Sequence, residues 1–244
     1  MEAKKEKIYL SIVIPAYNEA DRIGILLEAI SKYERTKNFL IETIVVNNAS
    51  TDTTHETIEN YRGKIKNLVI MDRNEKGKGG AVHEGMLKAQ GKYVIFADAD
   101  NSTPIEQVDE LLKYVDKYDV VIGSRYCAGG KLAVPQPLTR ILGSRALNFV
   151  IQALAVPGIK DTQCGFKLFA REAAQQIFTK QSVFEFSFDI ELLAIARKLG
   201  YKIKEAGITW YDNPHSTVNP LRDGLRMVRD AWKVRLNIVK GIYR

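Results

Sequence analysis

The sequence predicts an α/β protein built on a mostly parallel sheet, and two features carry that prediction. Val/Ile-rich runs without strict alternation recur through the first half, as in strands covered on both faces. Between them lie segments with apolar residues at helical spacing, which implies right-handed crossovers between parallel strands. A chain of 244 residues is long enough to bury a sizeable core.

Taken in order, "IYLSIVIP" (8–15) is the first strand, and 19–34 is a helix through Ile23, Leu26, Leu27 and Ile30. "IETIVVN" (41–47) is the second strand, and Ser50 or Asp52 is placed to cap the helix at 52–62. "NLVIMD" (67–72) leads to a helix from Gly79 to Gln90, "KYVIFAD" (92–98) to one over 103–118, and "DVVIG" (119–123) is a fifth strand. The alternation then weakens. A loop, "RYCAGGKLAVPQP", precedes a helix at about 138–155, and "DTQCGFKLFAREAAQQIF" reads as loop, short strand and helix. "FEFSFDIELLAIARKLG" is mainly helical, "YKIKEAGITW" a strand, and "NPLRDGLRMVRDAWKVRLNIVK" a closing helix. The organisation expected is one domain over 1–244, with a first half at about 8–123 and a later half at about 124–244.

Ligands of open parallel sheets bind beyond the carboxyl ends of the strands. The strand tails here are "PAYNE", "NNAS", "DRNEKGKGG", "DADNST" and "GSRY", all polar, charged or glycine-rich. In "YVIFADADNSTP" an apolar strand delivers Asp98 and Asp100 to that edge. Aspartate also serves in turns and helix caps, but Thr103-Pro104 supplies a cap and a proline at the first helical position. The pair is therefore spare, and its hard oxygens suit Mg²⁺ or Mn²⁺ shared with substrate phosphates. "EKGKGGAVHEG" (75–85) fits neither common phosphate-loop pattern, although Lys76 or Lys78 is within reach of an anionic nucleotide. His83 is an ordinary polar residue on the following helix.

A net charge of +7 favours a polyanionic partner, and the absence of an aromatic-rich basic motif argues against nucleic acid. No apolar run approaches a membrane span, and "MEAKKEK" lacks the centre of a signal peptide, so a cytoplasmic location is expected. Cys127 and Cys164 read as two buried free thiols. On the closing helix, Leu221, Leu225, Val228, Trp232, Leu236 and Val239 form an apolar stripe beside Arg222, Arg226, Arg229, Lys233 and Lys240. That pattern fits a core-facing helix with a solvated rim, docking to the cytoplasmic face of an anionic membrane, or both.

The ordered set "SIVIPAYNEADRI", "IVVNNASTDTT", "NEKGKGGAVHEGMLKAQGKYVIFADADNST", "VVIGSRYCAGG", "DTQCGFKLF" and "FSFDIELLAIARKLGYKI" resembles the family 2 glycosyltransferases of the GT-A fold. Within them it is similar to the polyprenyl-phosphate hexose synthases, nearest the dolichyl-phosphate glucosyl branch. The resemblance implies inverting transfer of a hexose, glucose favoured over mannose, from UDP-glucose or GDP-mannose to a polyprenyl phosphate. It places Pro15, Ala16, Tyr17, Glu19, Asn47, Lys78, Asp98 and Ala99 at the nucleotide, with Glu19 on the ribose. It assigns Asp98 and Asp100 to the metal, and Arg125, Arg140 and Ser144 to the acceptor phosphate. Asp161 lies in the loop expected near sugar and acceptor, so Asp100, Asp161 and Arg125 form the expected catalytic set. An integral membrane partner that takes the product onward is compatible with this reading.

Three departures stand out. "NNAS" replaces the usual two aspartates and glycine, Ser102 replaces the glutamine of mannose synthases, and His215 lies where those enzymes have an arginine. A phosphate monoester is already anionic near neutral pH and needs cations to position it, not a general base. A sugar-hydroxyl acceptor, as in polysaccharide synthesis, would need a carboxylate base, for which Asp161, Asp189 and Glu191 are candidates. Asp189 and Glu191 do not share a helix face, so at most one points into the site. A sugar nucleotidyltransferase and a non-catalytic nucleotide-sugar-binding module are the readings from other classes.

Overall fold

The computed structural model describes residues 7–134, 138–185, 187–211 and 220–243, the side chains of 138–142 and 220–223 excepted. Nine strands are present among them: β1 (Leu10–Ala16), β2 (Ile41–Asn48), β3 (Leu68–Arg73), β4 (Tyr93–Ala97), β5 (Val120–Ser124), β6 (Lys131–Leu132), β7 (Phe166–Ala170), β8 (Ile203–Gly207) and β9 (Thr209–Trp210). Seven form one sheet in the order β3-β2-β1-β4-β7-β5-β8, and β6 pairs with β9. The large sheet is parallel except for β7, which runs antiparallel between β4 and β5. The helices are α1 (Ile23–Arg35), α2 (Thr54–Glu59), α3 (Lys78–Lys88), α4 (Val108–Leu112), α5 (Leu138–Leu154), α6 (Arg171–Thr179), α7 (Phe188–Lys198) and α8 (Pro220–Lys240).

The continuous apolar strands are explained by two cores. Val13, Val46, Phe96 and Phe169 face α3, α6 and α7, while Ile12, Ile14, Val45 and Ile95 face α1 and α4. Successive strand residues point to opposite faces, so a strand with both faces covered is mostly apolar, and its few buried polar residues, such as Ser11, Glu42 and Lys167, need partners.

Several boundaries differ from the sequence expectation. The segment 103–118 is a short 3-10 turn (Ile105–Gln107) and then α4, followed by bonds from Tyr114 N to Leu111 O and from Lys117 N to Tyr114 O. Three-residue closure of this kind keeps helical side-chain spacing without a full α-helix. Likewise α2 stops at Glu59, with turns as far as Ile65. Thr103 does not cap: Pro104 itself occupies the cap position at φ −55° and ψ 139°, with no side-chain capping bond. "YKIKEAGITW" divides at Gly207, where a Cβ would lie 2.4 Å from the Gly129 backbone, so its second part leaves the sheet to pair with β6. Cys164 is buried, whereas Cys127 is only partly so; both are free.

The expected stripe on α8 does not face the core. Ala231 and Val234 are fully buried, with Met227 and Ile238 packed beside them. Leu225, Trp232, Leu236 and Val239 are exposed on the other side. Leu221 and Arg222 lie outside the described side chains, and His215 outside the described residues.

Glu191 fixes the end of the chain to the core. Its buried carboxylate accepts from Ser182 N at 2.9 Å, Val183 N at 2.7 Å, Ser182 Oγ at 2.5 Å and Tyr243 Oη at 2.7 Å. Tyr243 is fully buried, and burial is the chief cause that raises its hydroxyl above the ordinary pKa. With four donors satisfied, Glu191 is a structural anchor and Asp189 is the one of the two that faces the sheet edge. Bonds to a charged acceptor are worth about 1.5–3 kcal/mol. Tyr243→Phe should therefore destabilise the protein by about 1.5–3 kcal/mol, and Glu191→Ala by roughly 3–5 kcal/mol. Urea unfolding measures both, and a Glu191→Ala cost no larger than that of Tyr243→Phe would remove the anchor.

Candidate active site

The strand order reverses at β1, with β2 on one side and β4 on the other. Such a switch point opens a crevice at the carboxyl edge. The loop after β1 is laced to the loop after β2: Asn18 N donates to Ser50 Oγ (3.1 Å), Thr51 N to Asn18 Oδ1 (2.8 Å), Glu19 N to Thr54 Oγ1 (2.8 Å) and Ala20 N to Asp52 Oδ2 (3.3 Å). Three non-glycine residues just beyond β1, β2 and β4 have positive φ: Asn18 at 51°, Ala49 at 58° and Asn101 at 54°. Conformations of that kind persist where surrounding bonds over-determine them, and they gather at binding sites.

On the expected nucleotide side, Pro15 and Ala16 end β1 in the buried floor of the crevice. Tyr17 is exposed, and Lys76 Nζ donates to its hydroxyl at 2.6 Å while lying 4.7 Å from the ring centroid. Glu19 holds Arg22 with two bonds of 2.7 and 2.8 Å. Burial, followed by repulsion from Asp100 and Asp98, pushes the Glu19 carboxyl up against the pull of Arg22. Asn47 Nδ2 donates to Asp72 Oδ1 at 2.8 Å, whereas Asn47 Oδ1 is buried without a partner. His55 also meets Asp72 at 2.9 Å. Burial alone would raise the Asp72 carboxyl; the Asn47 and His55 bonds outweigh it and hold the group below the ordinary value.

Asp98 stands just beyond β4, its Oδ1 2.6 Å from Lys78 Nζ. Lys78 begins α3 directly after Gly77, whose φ of 148° suits only glycine. Asp100 Oδ1 accepts Ser102 N at 2.9 Å, so this aspartate also shapes its turn. Ala99 between them is buried. Asp98 rests on Gly165, where any Cβ would come 2.2 Å from Asp98 Oδ2. Behind it, on β7, Lys167 is fully buried and donates to Asp189 Oδ1 and to the Cys164 carbonyl. Burial raises the Asp189 carboxyl, opposed by Lys167 and Lys78. Burial pulls Lys78 down, but Asp98 and Asp189 overcome it and hold the ammonium above its usual pKa. Lys167, Asp189, Lys78 and Asp98 thus form a row of alternating charge.

The acceptor side centres on Arg125. Asp161 accepts from its Nε and Nη2, each at 2.8 Å, and from its backbone N at 2.9 Å. Burial would lower Arg125, but Asp161 outweighs it and fixes the charge. Asp161 N and Lys160 N in turn donate to Glu205, each at 3.0 Å. The guanidinium lies 5.1 Å from the Trp210 ring and 5.3 Å from Tyr126, and Arg145 approaches the same Tyr126 ring at 5.6 Å. Asn148 ties α5 to the neighbouring loop by accepting from Thr162 Oγ1 at 2.8 Å. Ser144 is exposed on α5, and the Arg140 side chain lies outside the described residues. Burial pushes the Cys164 thiol up to about 12, which makes it inert.

Sequence reasoning missed Asp72, Arg145, Gly165 and Lys167. One signal was available: Lys167 interrupts the apolar run "GFKLF", and a lysine inside a strand requires a partner.

Among the described residues no three His, Cys, Asp or Glu side chains form a metal cluster. Asp98 and Asp100 instead offer part of a hard oxygen set, with Asn101 Oδ1 and Ser102 Oγ buried beside them without partners. Mg²⁺ and Mn²⁺ complete such sets with water and substrate phosphates, so the residues fit. Gly165→Ala should displace Asp98 and weaken Mn²⁺ binding by about 10–100-fold, as second-shell changes do. Electron spin resonance of free Mn²⁺ reads this, and an unchanged affinity would separate Asp98 from the ion.

Residues 11–178 match the family model "Glycosyl transferase family 2". The chain is 33% identical over 253 residues to a dolichyl-phosphate β-glucosyltransferase of Dictyostelium discoideum, covering 98% of this chain and 77% of the relative. It is 34% identical over 250 residues to the enzyme of the same name from Homo sapiens, covering 96% and 77%. A crystal structure of glucosyl-3-phosphoglycerate synthase from Mycobacterium tuberculosis with Mn²⁺ and UDP-glucose superposes with a TM-score of 0.65 at 21% identity, covering 94% of this chain and 78% of that one. That likeness is one of fold, and the fold is GT-A. Taken with the match over most of its length, the chain belongs to glycosyl transferase family 2.

Proposed function

We propose that this protein transfers glucose from UDP-glucose to a dolichyl-type polyprenyl phosphate, with inversion, using Mg²⁺ or Mn²⁺. Two independent lines support the reading: the names of the relatives over nearly the whole chain, and the state of the acceptor-side carboxylates. The second line is the observation that selects the acceptor. Asp161 is occupied by Arg125, Asp189 by Lys167 and Glu191 by its four donors. A hydroxyl acceptor would need one of them as a base, whereas a phosphate needs none.

The half at about 8–123 holds the donor and the half at about 124–244 the acceptor. Tyr17 and Lys76 offer an aromatic and cationic surface, and the unpartnered Asn47 Oδ1 offers an acceptor to a base N–H. Glu19 receives the ribose. Asp98 and Asp100 would hold the divalent ion, which would supply Lewis-acid neutralisation of the departing diphosphate. Lys78 brings a second positive charge to the same end. Arg125, held by Asp161, keeps Nη1 outside those bonds and presents it with Arg145 and Ser144 to the acceptor phosphate; Arg140 is assigned there by its motif alone. A phosphate oxygen forms the new bond to the anomeric carbon from the face opposite the diphosphate, the bond to the β-phosphate oxygen breaks, and UDP leaves with the electron pair.

No helix among the described residues is long and apolar enough to cross a membrane. The proposed setting, which follows from a lipid acceptor and not from that absence, is the cytoplasmic face of a membrane.

A donor-by-acceptor matrix with and without Mn²⁺ tests the assignment: UDP-glucose with a short polyprenyl phosphate should give acid-labile glycolipid, and chelation should stop it. Transfer to a phosphate-free glycan alone would overturn it. Asp100→Asn should lower kcat by about 10²–10³-fold, the usual cost of one charge-stabilising group, with the fold retained by circular dichroism. Arg125→Lys keeps a cation beside Asp161 but loses the fork. It should raise KM for the lipid phosphate more than KM for UDP-glucose, and an equal rise in both would remove Arg125 from the acceptor site.

A further inference from the structure

Two features of α8 are unused by the proposed reaction. The first is its outward apolar row. At about 100° per residue, Leu225, Trp232 and Val239 lie roughly opposite the core-facing row of Met227, Ala231, Val234 and Ile238. They are 75%, 55% and 71% exposed, and Phe149 on neighbouring α5 is 71% exposed. A soluble helix places polar residues on that side. The second feature is a cleft of about 470 Å³ between α8 and the loop 182–185. Arg226, Arg229 and Lys233 line it, with Glu185 at the loop and the mostly buried Asp230. The charges sum to three positive and two negative. Among the described residues Arg229 has a long contact with Asp230 at 3.4 Å, and its side chain remains 77% exposed.

The cations and the apolar row are adjacent on the helix. Arg229, Lys233 and Arg226 follow the apolar arc by about a fifth of a turn or more at the helical repeat, and Lys240 continues the same flank. An interfacial helix has this arrangement, with apolar residues in the acyl boundary and cations at the headgroups. We propose that the cleft binds the phosphate headgroup of an anionic phospholipid, and that α8 lies in the membrane interface with Leu225, Trp232 and Val239 in the bilayer. The proposal rests on the lipid-acceptor reading for the presence of a membrane, while the site follows from the charge and exposure of α8. A headgroup here sits one loop from the donor end, because Phe184 O accepts Gly80 N at 3.1 Å in the glycine turn that begins α3.

Co-sedimentation of the full chain with phosphatidylcholine vesicles, with and without phosphatidylglycerol, tests the site. Binding should require phosphatidylglycerol and fall roughly 100-fold in Arg226→Gln/Arg229→Gln/Lys233→Gln, since each basic residue near an anionic surface contributes about a fivefold factor. Brominated lipid should quench tryptophan fluorescence in the native chain and lose most of that effect in Trp232→Phe. Glucose transfer to a short, water-soluble prenyl phosphate should be unchanged in both variants. If no prenyl phosphate accepts sugar while vesicle binding behaves as stated, the transfer reading fails and the lipid site stands. Equal binding to neutral vesicles, anionic-vesicle binding unchanged in the triple glutamine variant, or self-association that Trp232→Glu dissolves without any vesicle binding would each overturn the proposal.

Discussion

Asp98 depends on what lies behind it. A carboxylate at the end of a buried strand is drawn toward the nearest cation, and here the cations are spaced so that it stays at the edge. Lys167 is fully buried and sits against Asp189, and Lys78 lies between Asp189 and Asp98 in the field of both. Two lysines and two aspartates cancel, so Asp100 carries the surplus negative charge of the group. The edge that would receive a divalent ion is therefore net anionic, while the row behind it is neutral overall. Neither half of the Lys167–Asp189 pair is tolerable alone, because breaking a buried pair costs about 3–5 kcal/mol.

The antiparallel strand β7 makes this row possible. Inserted between β4 and β5, it runs its residues past β4 in reverse, with Lys167 opposite Phe96 and Phe166 opposite Ala97. Gly165 then falls beneath the first residue after β4, which is Asp98. A parallel strand in that slot would present its far end there and require a crossover of its own. The single reversed strand explains why "CGFKLF" and "DAD", distant in sequence, form one site, and why glycine is required where they touch.

The sequence disclosed what depends on local pattern and concealed what depends on pairing. Parallel strands β1 to β5 were legible because burial on both faces leaves a continuous Val/Ile run, and the strand tails disclosed the edge where ligands bind. Tyr17, Glu19, Asp98 and Arg125 followed from their motifs. The antiparallel direction of β7 was hidden, since five residues carry no mark of orientation, and with it the neighbourhood of Lys167 and Gly165. Asp72 was hidden for a related reason: its meeting with Asn47 is a register fact between β2 and β3. On α8, two apolar rows fit helical spacing, and periodicity alone does not say which one the core takes.

The acceptor side follows a different logic from the donor side. Arg125 is held at both Nε and Nη2 by a carboxylate that is itself fixed through its backbone N to Glu205, and it is flanked by two aromatic rings. A guanidinium bound in this way loses little freedom when an anion arrives, which lowers the entropic cost of binding. Asp161 also limits what Arg125 can do. With Nε and one N–H of Nη2 committed, the arginine cannot fork onto a phosphate through its Nε side and is left with its Nη1 end. Arg145, brought over the same Tyr126 ring from α5, is a second cation on that side. In the proposed reaction the acceptor phosphate would be met from two sides by separate elements, the strand-end loop after β5 and the helix α5. Because α5 packs against α8, the helix proposed to complete the phosphate site is joined to the one with the outward apolar row.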